Sequence, residues 1–115
     1  MAIVLNSPFG LEDGQIIGYS AKPFHLIVEF EFWNEQRGTI LFEGLVGLRD
    51  NGAIRVTTSA ICESQESNFV ELLARRRFEV RPDGIHWRHY QFLDLDDQPL
   101  LEVVADSCSF IDTTQ

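Results

Sequence analysis

The chain reads as an α+β domain: a strongly curved, mostly antiparallel sheet of about six to eight strands, carrying one helix. Three observations predict this. Apolar residues alternate with a period of two through "PFHLIVEFEFW". Turn-forming steps such as Asn51–Gly52 and Pro82–Asp83–Gly84 punctuate the apolar runs. Only one stretch, at about 64–76, spaces its apolar residues as a helix does.

Taken in order, "QIIGYS" is the first expected strand. The long strand follows: Phe24, Leu26, Val28, Phe30 and Phe32 share one face, while His25, Glu29 and Glu31 share the other. Side chains alternate across a strand, so this one is expected to bury a single face. "NEQRG" then turns the chain into "TILFEGLVGL", with Ile40, Phe42, Val46 and Leu48 on one side and Glu43 on the other. The Asn51–Gly52 step favours positive φ and predicts a hairpin into "AIRVTTS", where Ile54 and Val56 alternate with Arg55 and Thr57.

The predicted helix, "SQESNFVELLARR", has Ser64 or Ser67 to cap its first turn and Phe69, Leu72 and Leu73 as its apolar stripe. Glu71 and Arg75 stand four apart in the favourable order. The helix interrupts the meander, so it must lie across a face or an end of the sheet. "FEVRPDGIHW" then reads as a hairpin, with Pro82 presetting the turn and Gly84 supplying a left-handed residue. "HYQFLDL" and "LLEVVAD" are two further strands joined by "DDQP", and "CSFID" is a short last one.

The 115 residues are expected to form one domain, residues 1–115. A chain of this length buries roughly two-thirds of its unfolded surface and needs no covalent staple. Cys62 and Cys108 have no metal-ligand or redox spacing, so two free thiols are expected. The net charge of −9 argues against nucleic acid as a partner, because phosphate binding needs lysine and arginine. The arginines that exist crowd into residues 73–90 (Arg75, Arg76, Arg77, Arg81 and Arg88), leaving the rest more acidic still. At helical and then strand spacing, "RRR" splays apart rather than forming a phosphate cradle. The chain has no bilayer-length apolar run and no basic leader at its start, so a cytoplasmic protein without membrane contact is expected.

"HWRHYQFLDLDDQPL", residues 86–100, is the stretch that most resembles chemistry. On a strand, His86 and His89 point to opposite faces, so no shared metal ion is expected. His89 shares its side with Ile85 and Trp87; His86 shares the other with Arg88 and Tyr90. Asp94 and Asp96 fall on one strand face and Asp97 opens the turn, without the glycine that a calcium loop uses at its bend. One half-buried and one surface histidine, beside a wet acidic tip, is the expected arrangement. Both rings converging on one ion, or a buried carboxyl beside them, would bring down the case against catalysis. No phosphate loop and no nucleophile elbow is legible, so no catalytic residue, metal or cofactor is assigned.

"GLEDGQIIGYSAKPFHLIVEFEFWNEQRGTILFEGLVGLRD" resembles the opening of small β-rich bacterial domains that include immunity proteins of polymorphic-toxin systems. The likeness covers residues 11–50. Ile16 and Ile17 match the first strand of that group, and Leu41, Phe42, Gly44, Val46 and Leu48 match its third. Where the group has a histidine–aspartate turn, this chain has Glu12 and Asp13. The resemblance implies a non-enzymatic inhibitor whose acidic surface blocks a toxin domain.

The expectation is therefore a binding module for a basic protein. Its candidate contacts are Glu29, Glu31 and Glu43 on the outer strand faces, with Asp94, Asp96 and Asp97 at the tip. The alternative is a small-ligand domain or cryptic enzyme, with a pocket between sheet and helix lined by Trp33, Trp87, His89 and Tyr90. A homo-oligomer joined through sheet edges is the third reading.

Overall fold

A computed structural model describes residues 3–4, 13–32, 35–65, 67–77 and 86–112. The architecture is α+β and antiparallel, as expected, but among the described residues the strands divide between two five-stranded sheets that face one another. The first sheet has the order β1 (Ile3–Val4), β7 (Ala60–Ser64), β8 (Arg88–Leu93), β9 (Pro99–Ala105), β5 (Gly47–Asp50). The second, curled sheet has the order β10 (Ser107–Asp112), β4 (Arg37–Glu43), β3 (His25–Glu31), β2 (Gly14–Lys22), β6 (Thr57–Thr58). One helix, α1 (Asn68–Arg77), covers the outer face of the first sheet.

The core lies between the sheets. Leu26, Val28, Phe30, Ile40 and Phe42 come from one side and Ile61, Tyr90, Phe92, Leu101 and Val103 from the other, all essentially inaccessible. Phe42 packs its ring against Tyr90 and Phe92, with centroids 5.1 and 6.1 Å apart. Such tilted contacts add to the burial energy of each ring. Tyr19 of β2 donates its hydroxyl to Asp50 of β5 at 2.7 Å, tying one sheet to the other.

Four expectations are corrected. Phe24 is not part of the buried strand face: Pro23 and Phe24 form the two-residue turn between β2 and β3, and Phe24 is 80% exposed. "TILFEGLVGL" is not one strand. It breaks at Gly44, whose φ is +68°, where a side chain would run into Asp106; the chain leaves one sheet there and enters the other. Ile40 and Phe42 therefore face the core between the sheets, whereas Val46 packs beneath the helix.

The Asn51–Gly52 step does not close a hairpin. The Asp50 carboxylate accepts the Gly52 and Ala53 amides, and the chain crosses as a loop to pair β6 with β2 before returning in β7. Ile54 and Val56 are consequently exposed. Finally, the helix starts at Asn68 rather than near 64, and Leu72 faces water while Phe69, Val70 and Ala74 are buried. The expected hairpin over 78–87 lies mostly outside the described residues. No helix among the described residues is long and apolar enough to cross a membrane.

Candidate functional site

The outer face of the first sheet, under α1, holds a buried polar cluster. Alternation along β8 sends Tyr90 and Phe92 into the core and Trp87, His89 and Gln91 the other way. Along β9 the same rule turns Leu101 and Val103 inward and Glu102 and Val104 toward the helix. Cross-strand register then sets Arg49, Glu102 and Gln91 in one row, with Val104 and His89 in the next. Phe69 of α1 stands edge-on to the His89 ring at 5.4 Å, and the Arg49 guanidinium lies over Phe69 at 4.4 Å.

Glu102 is 2% exposed and both of its oxygens are occupied. Oε2 accepts from Arg49 Nε at 2.6 Å and Asn51 Nδ2 at 3.1 Å. Oε1 accepts from Gln91 Nε2 at 3.1 Å and from His89 Nε2 at 3.1 Å. Burial opposes the charge, but the hydrogen bonds from Arg49, Gln91 and Asn51 outweigh it and bring the carboxyl down to about 2. His89 is 4% exposed, and that burial lowers its proton affinity; the neighbouring carboxylate only partly offsets the effect, and the charge on Arg49 reinforces it.

A carboxylate on one side fixes the neutral tautomer of the ring. Nε2–H donates to Glu102, so Nδ1 accepts from the Ser67 hydroxyl at 2.8 Å. Ser67 Oγ in turn accepts the Val70 amide at 3.1 Å, the capping bond of α1.

The order serine–histidine–carboxylate is that of a nucleophile relay, and the buried carboxyl beside a histidine is the condition under which catalysis had to be reconsidered. Three features of this chain also serve the fold. The serine oxygen caps the helix, the carboxylate is shared among four donors, and a positive guanidinium weakens the histidine as a base. Each group is satisfied by the others, as buried polar networks must be to persist. The cluster works as a latch that seats α1 on the sheet. Burial pushes the Cys62 thiol upward and the Cys108 thiol up to about 12, away from the thiolate form.

The other expected site residues are dispersed. Glu29, Glu31 and Glu43 do share the outer face of the curled sheet, yet Glu31 and Glu43 mark opposite ends of the β3–β4 pair. Glu31 is engaged by Arg37 and Arg55 at 3.6 and 3.7 Å, whereas Glu29 and Glu43 form no ion pair among the described residues. Asp94 is not on a strand face. β8 ends at Leu93, and the Asp94 carboxylate accepts the Asp96 and Gln98 amides, building the turn to β9. Asp97 takes a φ of +59° in that turn.

His89 and Trp87 lie beneath the helix, Tyr90 points to the opposite side of β8 into the core, and Trp33 is outside the described residues. These residues do not line one pocket. His86 is exposed, and no group of three or more histidine, cysteine, aspartate or glutamate side chains among the described residues could hold a metal ion. A shallow groove of about 240 Å³ does exist, on the opposite sheet, between Ile17, Gly18, Tyr19, Ser20, Ile27 and Glu29.

The sequence reading missed Glu102, Arg49, Asn51 and Gln91. One signal was available: Glu102 sits in the run "LLEVVA", apolar on both faces, which marks a strand covered on both sides and a charge that must be paired there. Compared with family models, curated proteins and solved structures, the chain matches none.

Proposed function

We propose that the protein is a non-enzymatic binding module that docks on a cationic partner protein through the acidic β8–β9 turn. This is the inhibitory role that its resemblance to immunity proteins implies. The observation that carries the reading is Leu95, 68% exposed at the apex of a turn whose Asp94, Asp96 and Asp97 form no ion pair among the described residues. An exposed aliphatic side chain ringed by acids suits a partner pocket rimmed with lysine or arginine. The apolar contact would set the dissociation rate, and the acids would steer the encounter.

The turn is also held in place. Ser59 donates from its amide to the Leu93 carbonyl at 2.8 Å and from its hydroxyl to the Asp94 carbonyl at 2.9 Å. On the far side Asn51 Nδ2 donates to the Pro99 carbonyl at 3.1 Å. A contact built in advance loses little entropy on docking.

The test is capture of a partner from the native host at low salt, followed by kinetics with the purified pair. Leu95→Ala should raise the dissociation rate about tenfold, and D96N/D97N should slow association while flattening its salt dependence. No captured protein at low salt, together with turnover of a small substrate, rejects the reading.

The Ser67–His89–Glu102 chain favours a second reading, a cryptic acyl-transfer enzyme with Ser67 as nucleophile. A fluorophosphonate probe that labels the folded protein at Ser67, and fails on the His89→Ala variant, would replace the binding proposal with this one.

A further inference from the structure

α1 is fastened to the first sheet by hydrogen bonds at its N-terminal end and by a small apolar cluster along its length. In that cluster Phe69, Val70, Leu73 and Ala74 pack on Trp87, Val104 and Val46, apart from the larger core between the sheets. A segment joined to the rest by few buried contacts opens at a lower free energy than the core does. A helix of 10 residues is marginal by itself in water, so α1 keeps its shape only while it is seated.

The hydrogen-bonded end runs through His89. Its Nδ1 accepts from Ser67, the cap of α1, and its Nε2–H donates to Glu102. A proton added at Nδ1 deprives the Ser67 hydroxyl of its acceptor. It also places a cation at the N-terminal end of α1, where the helix dipole is already positive. β5 brings a further cation, Arg49, whose guanidinium lies over Phe69, itself edge-on to the ring. Against these stands Glu102 of β9, on which Arg49, Asn51 and Gln91 already draw. β7 sets Ser64 opposite His89 and Cys62 opposite Gln91. On α1 itself Glu71, Arg75, Arg76 and Arg77 are exposed.

We infer that α1 is a pH-gated cover: protonation of His89 releases it from the first sheet and bares the apolar patch of Trp87, Val104 and Val46, while the core between the sheets stays folded. The seated helix disfavours the imidazolium by burial, by its own dipole and by Arg49. Once the helix lifts, water reaches the ring, which recovers its ordinary proton affinity near 6.5. The open form therefore binds the proton more tightly, and acid shifts the equilibrium toward it. Lifting the helix also frees the Ser67 hydroxyl to bond with water. The gate holds whether or not the β8–β9 turn docks on a partner.

Hydrogen exchange of the full chain from about pH 7.5 to about pH 5, corrected for the intrinsic pH dependence of amide exchange, reads the release. Opening at the amides of residues 71–77 should rise by up to about tenfold per pH unit once the pH falls below about 6.5, one proton being gained, with β3, β4 and β9 still protected. In a Trp33→Phe background, Trp87 emission should shift to the red over the same interval. His89→Gln can donate to Glu102 and accept from Ser67 as the neutral ring does, but it takes up no proton, so the pH dependence should vanish. Should that variant fail to fold, ring NMR of the parent decides: His89 should titrate in step with the opening. A ring that protonates beneath a helix still fully protected overturns the inference. So does α1 protection that stays flat to about pH 5 or is lost only together with that of β9, and so does a glutamine variant with the parent's pH dependence.

Discussion

Glu102→Gln tests the latch most directly. The amide keeps the volume of the carboxyl, but all four groups aimed at the two oxygens, from Arg49, Asn51, Gln91 and His89, donate to them. Whichever way the glutamine turns, its NH2 meets donors. Relief comes only if Gln91 flips and His89 exchanges its tautomer, which breaks the bond to Ser67 as it now stands. The magnitude follows from linkage. At 1.36 kcal/mol per pKa unit, holding the carboxyl at about 2 instead of 4.5 stabilises the fold by ~3 kcal/mol at neutral pH.

Because the folded value is the lower one, that stabilisation is complete above about pH 4.5 and is lost as the pH falls toward 2. His89 adds an earlier loss of the same sign. Its folded-state affinity for a proton is reduced, so the unfolded chain binds that proton first, and stability begins to fall below about pH 6.5. Urea unfolding across this pH range measures both. The glutamine variant should lose ~3 kcal/mol at pH 7 and lack the limb below pH 4.5. A variant within ~0.5 kcal/mol of the parent at pH 7, or an unchanged lower limb, refutes the reasoning.

Two further outcomes follow from the same structure. Ser67→Ala removes the helix cap and the partner of His89 Nδ1 together, and should cost ~1–2 kcal/mol by urea titration, with threonine recovering most of it. Cys108, pushed up to about 12 by burial, should resist a thiol reagent at pH 8 in the folded protein and react at an ordinary rate once urea unfolds it.

The outcome for the acidic residues shows how far strand patterning reaches. Alternation placed Glu29, Glu31 and Glu43 on an outer face, and they are there. It could not show that Glu31 would pair with two arginines, one of them Arg55 from a loop that crosses between sheets. The histidines divide in the same way. Opposite faces for His86 and His89 were legible from the period of two. Only the packing of α1 on the sheet, with a carboxylate from β9 and an arginine from β5, turned His89 from a strand residue into the centre of a latch.

By itself, the sequence determined local periodicity: which residues share a strand face, where one helix forms, and that the sheet is antiparallel. These properties depend on neighbours two to four residues away, so they are written in the order of the chain. Tertiary structure alone decided the split into two sheets, the fully covered outer face of β9, and the exposure of Phe24 and Leu95. Each of these depends on which distant segment occupies the space beside a residue. Glu102 states the reason most plainly: the groups that keep its charge in place stand 53, 51, 13 and 11 residues away.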